Sequence, residues 1–211
     1  EFGLQGTNFA TSSACASAGH ALGVALRTIQ YGEADVVLSG GSEAAVSPQA
    51  VAAFGAMKAL STRNDDPTAA SRPFDKDRDG FVMGEGGAVL MLEELEHARA
   101  RNATIYAEFV GYGSTADAFH ITQPKEDGAG PTRAMTLALK DAGITPDQVD
   151  YVNAHGTSTY YNDKVETLSL NNVFAEHAAK LAVSSTKSMV GHLLGGSAAI
   201  EAAATVRSIR D

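Results

Sequence analysis

Three side chains in this sequence have the chemistry of a nucleophile and a proton-handling pair: Cys15, His155 and His192. Cys15 is the only cysteine and sits among small residues, Ser13-Ala14-Cys15-Ala16-Ser17. Small neighbours leave room for a substrate. A position at the start of a helix favours thiolate over thiol, because unpaired N–H groups there present positive potential. The competing reading is a small buried hydrophobe. His155 and His192 both lie in glycine-flanked turns, which a histidine approaching a reacting group needs and a surface histidine does not. His20, His97 and His177 fall in or beside predicted helices and read as packing or surface residues, while His120 stays open.

Lys187 stands five positions before His192, and Asp163 and Glu166 are three apart, hence on one face of a helical turn. A lysine near two imidazoles would keep both neutral, provided a carboxylate such as Glu166 offsets its burial. A solvated lysine is the plainer alternative. Other chemistries fail on spacing: there is no H-E-x-x-H, no C-x-x-C, no phosphate-binding P-loop and no G-x-S-x-G elbow. Nothing in the spacing supports a zinc site made from Cys15, His155 and His192, so no metal is expected.

These residues must be carried by helices and strands. Ala14 to Tyr31 reads as a helix stopped by Gly32, and 34–39 as a buried strand closed by Gly40-Gly41. Ser47-Pro48 fits an N-cap with proline at the first helical position. Residues 60–87 read as a long functional loop, 88–92 and 105–113 as strands, and 93–101 as a charged helix between them. A helix is expected over 131–142 with Gly143 as its stop, a strand over 149–154 delivering His155, a helix over 163–174 and a strand over 181–185. The last helix is read over 191–209, opened by His192. Alternating strands and helices predict an α/β fold with a largely parallel sheet and no linker dividing it.

The chain has 211 residues, 44% of them apolar and 19% charged, and no apolar run approaches the ~18 residues a bilayer span needs, so disorder and membrane insertion are disfavoured. The 16 basic against 25 acidic side chains give a net charge of −9 without a basic stripe, which argues against nucleic acid as a partner. A lone cysteine excludes an internal disulfide framework and fits a reducing, cytoplasmic setting. With no initial Met and a last residue directly after a predicted helix, the chain reads as a segment of a longer polypeptide.

Ser13–Ser17, Asn153-Ala154-His155-Gly156-Thr157-Ser158-Thr159 and the run from Ser184 through Lys187 and His192 to Gly195 resemble, in order, the motifs of the beta-ketoacyl-acyl carrier protein synthases, and most of all the type II elongating enzymes. The similarity continues through Ala59–Asn64, Ser71-Arg72-Pro73-Phe74-Asp75 and Arg78–Val82, so it spans essentially the whole chain. It implies a thiolase-like αβαβα layered fold, usually dimeric. Residues 1–100 would be the end of its first half and 101–211 most of its second, with flanking parts missing at both ends.

By the same resemblance, Cys15 matches the acyl-accepting nucleophile, and His155 and His192 the pair that promotes decarboxylation of a malonyl thioester. Lys187 matches the supporting lysine and Glu166 its carboxylate partner, with Asp163 beside it. Thr157 and Thr159 match residues that hydrogen-bond the phosphopantetheine arm delivered by acyl carrier protein, and Phe54 an aromatic near the acyl pocket. Lys58 falls where such enzymes carry a basic residue that meets the acidic carrier protein; docking depends on a local patch and not on the net charge, and Lys58 with Arg63 is the candidate for one. No bound cofactor is implied.

Two departures are visible. The carboxy-terminal Gly-Phe-Gly-Gly turn that supplies a second oxyanion donor is not in the sequence, so condensation would be crippled if the molecule ended at Asp211. Tyr160 stands where proline is common. The related ketosynthases of type II polyketide assembly share Cys, His and His and remain an alternative. A non-catalytic chain-length subunit, which generally lacks the nucleophile, and an incomplete, inactive fragment are the others. Polyketide-module enzymes and degradative thiolases fit less well, because the G-T-G-T run and the second cysteine are not found.

Overall fold

The computed structural model describes residues 3–210. In chain order its helices and strands are α1 (Ser17–Gln30), β1 (Val36–Glu43), α2 (Pro48–Ala56), β2 (Gly86–Glu93), α3 (Leu95–Ala100), α4 (Ala129–Ala142), β3 (Tyr151–Asn153), α5 (Tyr160–Phe174), β4 (Ala182–Ser184), α6 (Lys187–Val190) and α7 (Ser197–Arg210). They fall into two compact units. The first takes in the chain up to Glu43, Gly86–Phe109 and the chain from Leu193 onward; the second takes in Ala44–Glu85 and Val110–His192.

In the first unit, α1 buries Ala18, Leu22, Ala25 and Leu26, one stripe at helical spacing, and packs on β1 and α7. Gly32, at φ +70, ends α1 as expected: its N–H reaches the Ile29 carbonyl while the Glu33 N–H reaches back to Thr28. The amino-terminal end differs from expectation. Ala14 adopts φ +50 and the N–H groups of Ala16 and Ser17 turn back to the carbonyls of Ser13 and Ala14, so the helix begins at Ser17 and not at Ala14.

β1 also runs on through Gly40-Gly41 to Glu43, where the sequence suggested a stop. The glycines serve approach: a Cβ on Gly41 would lie 2.8 Å from that of Ala18 on α1. β1 pairs with β2 in antiparallel register, Val36 opposite Glu93 and Glu43 opposite Gly86, which corrects the parallel pairing expected here. Strand-helix alternation implies parallel strands only when the helix crosses back over the sheet. Ala44–Glu85 instead leaves β1 and rejoins the same ladder at its end, as a long hairpin loop. Val89 and Met91, 72% and 55% exposed, share the open face with Leu38, while the helices cover the other.

The second unit is centred on Leu170, Phe174 and Leu181, with Met135, Val149 and Val152 packed around them. Here the pairing is parallel as expected, Tyr151 opposite Ala182 and Asn153 opposite Ser184. Ser47 caps α2 through the Ala50 N–H with Pro48 at the first position, and Gly143 ends α4 at φ +69, both as the sequence indicated. Ser169 of α5 donates to the Gly128 carbonyl at 3.1 Å, tying α5 to the start of α4.

Residues 105–113 form no strand. Part of the reason is visible where the segment meets α4. The Tyr112 N–H donates to the Asp141 carboxylate at 2.9 Å, and a Cβ on Gly111 would lie 2.9 Å from that of Ala142, so the backbone is bonded to and pressed against a helix and not a neighbouring strand. α7 begins at Ser197, after a 3₁₀ turn at Leu194–Gly196, so His192 does not open it. Among the described residues no helix is long and apolar enough to cross a membrane.

Candidate active site

In the second unit β3 delivers His155. The Ala154 N–H continues the ladder to the Ser184 carbonyl at 2.8 Å, and the chain then turns at Gly156, φ +39, where a Cβ would lie 2.5 Å from that of Ser185. The turn is pinned by Glu166 from α5, whose carboxylate accepts the N–H groups of His155 and Gly156 at 2.6 and 2.7 Å. Burial pushes the Glu166 carboxyl above the usual range, and those two N–H groups pull it back down.

His192 arrives on a different support. Its N–H donates to the Val82 carbonyl at 2.7 Å and its carbonyl accepts from the Gly84 N–H at 2.9 Å, a strand-like bridge centred on Met83. Gly191 at φ +72 permits this, since a Cβ there would stand 2.9 Å from the Val82 oxygen. The two imidazoles meet edge to face, with centroids 5.2 Å apart and planes at 86°.

Lys187, 1% exposed, brings Nζ to 3.2 Å from His155 Nδ1. An ammonium only donates, so Nδ1 accepts and the neutral ring carries its proton on Nε2. Burial holds His155 well below the ordinary imidazole range, and the Lys187 charge and His192 deepen the shift. For His192, 3% exposed, burial and then Lys187 lower the value to about 3. Two neutral imidazoles with N–H donors, His192 buried and His155 half-buried, can stabilise an oxyanion or enolate without first losing a proton.

Thr157 and Thr159 lie directly beyond His155, their hydroxyls 2.8 Å apart. Asp163, 1% exposed, accepts the Phe74 N–H at 2.8 Å. Phe54, on α2, packs edge-on against Phe81 at 5.2 Å, and Phe81 in turn against His192 at 5.3 Å. Phe81 has no role assigned in the sequence reading, although it lies in the Arg78–Val82 run; its local signal is an aromatic directly after a glycine in a polar loop. Lys58 is exposed just past α2, with φ +54. Arg63 is turned to the Asp66 carboxylate at 3.1 Å, which spends part of its charge locally.

Cys15 belongs to the first unit, partly buried and two residues ahead of α1. The two residues ahead of it are held by one hydroxyl: the Ser13 N–H donates to Ser17 Oγ at 2.9 Å, and that hydroxyl donates to the Ala14 carbonyl at 2.8 Å. The same unit has an open cavity of about 840 Å³ against β1 and β2, lined by Phe9, Thr11, Leu38, Gly41 and Val89 but not by Cys15.

Residues 1–98 match the family described as "Beta-ketoacyl synthase, N-terminal domain", and residues 106–211 match "Beta-ketoacyl synthase, C-terminal domain". The chain belongs to the beta-ketoacyl synthase family. Similar curated proteins include 3-oxoacyl-[acyl-carrier-protein] synthase 2 of Synechocystis sp., 57% identical over 99% of this chain and 50% of that protein. The namesake of Vibrio cholerae is 54% identical, with 99% and 51% covered, and the mitochondrial 3-oxoacyl-[acyl-carrier-protein] synthase of Arabidopsis thaliana 53%, with 99% and 46% covered. This beta-ketoacyl synthase chain therefore spans about half the length of the curated relatives it matches.

Among solved structures, a type II polyketide ketosynthase in complex with its acyl-carrier protein superposes with TM-score 0.91 at 44% identity, covering 93% of this chain and 48% of that one. A beta-ketoacyl synthase from Burkholderia phymatum gives 0.88 at 49%, covering 93% and 47%. The α/β, thiolase-like class expected from the sequence is the class of these ketosynthases.

Proposed function

We propose that this chain carries the condensing machinery of a beta-ketoacyl-acyl carrier protein synthase in fatty acid elongation. The observation that supports it most is the meeting of the His155 and His192 rings, centroids 5.2 Å apart, with Lys187 Nζ 3.2 Å from His155 Nδ1. On this reading an acyl chain moves from the pantetheine sulfur of acyl carrier protein to Cys15 Sγ, releasing the carrier thiol. Malonyl-carrier protein then binds with its arm on Thr157 and Thr159. The bond between its carboxylate and C2 breaks, carbon dioxide leaves, and the electron pair becomes an enolate whose oxygen takes hydrogen bonds from His155 and His192. C2 attacks the Cys15 thioester, a carbon–carbon bond forms, and the Cys15 sulfur leaves and takes up a proton.

No bound metal or organic cofactor takes part, since the carrier protein delivers the arm. The chain is a single ketosynthase segment, the end of the amino-terminal half over 1–100 and most of the carboxy-terminal half over 101–211. It works within a cytoplasmic homodimer, with Lys58 and Arg63 in the carrier-docking patch and Phe54 beside the acyl chain. A ketosynthase of type II polyketide assembly is the second reading, favoured by the 0.91 superposition; the 57% identity to a 3-oxoacyl synthase favours the first.

The test uses a protein of the relatives' full length that carries this chain. Incubation with carrier-bound fatty acyl chains should add the acyl mass to Cys15, and Cys15→Ser should abolish the adduct. Cys15→Gln should still release carbon dioxide from malonyl-carrier protein, and His155→Ala should not. Undiminished carbon dioxide release by His155→Ala would refute the assigned role, and acylation only by polyketide chains would favour the second reading.

A further inference from the structure

The loop that holds Thr157 and Thr159 has an unusual backbone, and its support comes from a distant part of the sequence. Ser158 is fully buried at φ +68, a conformation a serine keeps only where its surroundings dictate it. Its hydroxyl accepts the Arg72 N–H at 3.0 Å and its carbonyl accepts the Gly80 N–H at 3.0 Å, so the 72–80 segment grips it at both ends.

Near the end of that segment is Arg78, its side chain 12% exposed. Nε donates to the Thr159 carbonyl at 2.9 Å, Nη2 to the Tyr160 carbonyl at 2.7 Å and Nη1 to the Asp75 carbonyl at 2.8 Å. Asp163 Oδ2 lies 3.6 Å from Nε and also holds the Phe74 N–H. A planar guanidinium can satisfy two successive carbonyls and a carboxylate at once, which no other side chain does. The Tyr160 ring lies under the same guanidinium, 5.5 Å from its carbon.

We propose that Arg78 is a positioning residue for the pantetheine arm, fixing the Thr159–Tyr160 backbone so that the Thr157 and Thr159 hydroxyls converge on one bound chain. This rests on the reading that those threonines bind the arm. Arg78 touches no reacting atom, so its effect belongs in arm binding and not in the chemical step.

The experiment compares Arg78→Met, Arg78→Lys and the double variant Thr157→Ala/Thr159→Ala in a protein of the relatives' full length. KM and kcat are measured with malonyl-acyl carrier protein, together with the rate of Cys15 alkylation by iodoacetamide. Arg78→Met should raise KM about tenfold with kcat within about twofold and alkylation unchanged, the pattern of lost uniform binding. Arg78→Lys keeps a cation against Asp163 but cannot bond both carbonyls, so its KM should rise about threefold; it carries the test if the Met variant does not fold. An unchanged KM in both Arg78 variants, or a kcat and alkylation loss as large as the KM effect, would overturn the proposal. If the threonine variant raises KM and the Arg78 variants do not, Arg78 alone is misassigned. If the threonine variant leaves KM unchanged, the arm-binding reading fails and the proposal with it.

Discussion

The burial of His192 has a consequence for acid stability that can be worked through. Its folded value is about 3 against 6.5 for an ordinary imidazole, so below 6.5 the unfolded chain takes up a proton that the folded chain refuses. Stability from this group is fully present above 6.5 and is lost as the pH falls towards 3. Each pH unit is worth about 1.4 kcal/mol per proton, so the descent to about pH 5, roughly 1.5 units, costs about 2 kcal/mol. Urea unfolding followed by circular dichroism at about pH 7.5 and about pH 5 measures it, with His192→Gln as the reference. The variant loses ring contacts at both pH values, but it has no proton to refuse. The stability gap between wild type and variant should therefore shift by about 2 kcal/mol against the wild type at the lower pH. A gap that stays within about 0.5 kcal/mol would refute the claim that His192 is kept neutral by its surroundings.

Lys187→Met removes the second cause of that depression and leaves burial, the first, in place; the His192 midpoint by proton NMR should rise above 3 yet stay below 6.5. A midpoint still near 3 would mean the lysine charge does not reach the ring. Tyr160→Pro should change stability by no more than about 1 kcal/mol in thermal unfolding: proline suits the first position of α5 and Thr159 is already extended, while the cation–π contacts from Arg78 and Lys164 are lost. Gly41→Ala drives a methyl against Ala18 on α1, a rigid neighbour, and should cost about 1–3 kcal/mol in urea unfolding; a neutral result would show that α1 can shift freely.

What could be read from the sequence was governed by local chemistry. Gly32, Gly143 and Ser47-Pro48 mark helix ends because their backbone preferences act within one turn, and they sit where expected. His155 was legible for a similar reason, as an apolar strand followed by His-Gly-Thr. The start of α1 was not, because Ala14 takes a left-handed conformation that alanine composition argues against. Nor was the direction of β2, which depends on where the chain returns after Ala44–Glu85. Phe81 and Arg78 lie in the polar loop the sequence marked as functional, but their partners, His192 and the Thr159 and Tyr160 carbonyls, lie far along the chain, and no spacing rule reaches them.

The pairing of Glu43 with Gly86 closes the root of that loop, so β1 and β2 cannot zip from a tight turn as a short hairpin does. Their ladder must wait for a long diffusive search, which slows this part of folding relative to the helices around it. For the ladder alone, doubling the length of the Ala44–Glu85 excursion would add only about 0.6 kcal/mol of closure entropy. What limits insertions there is thus not the ladder at its base but the bonds that residues 72–84 make to Ser158, Thr159 and His192.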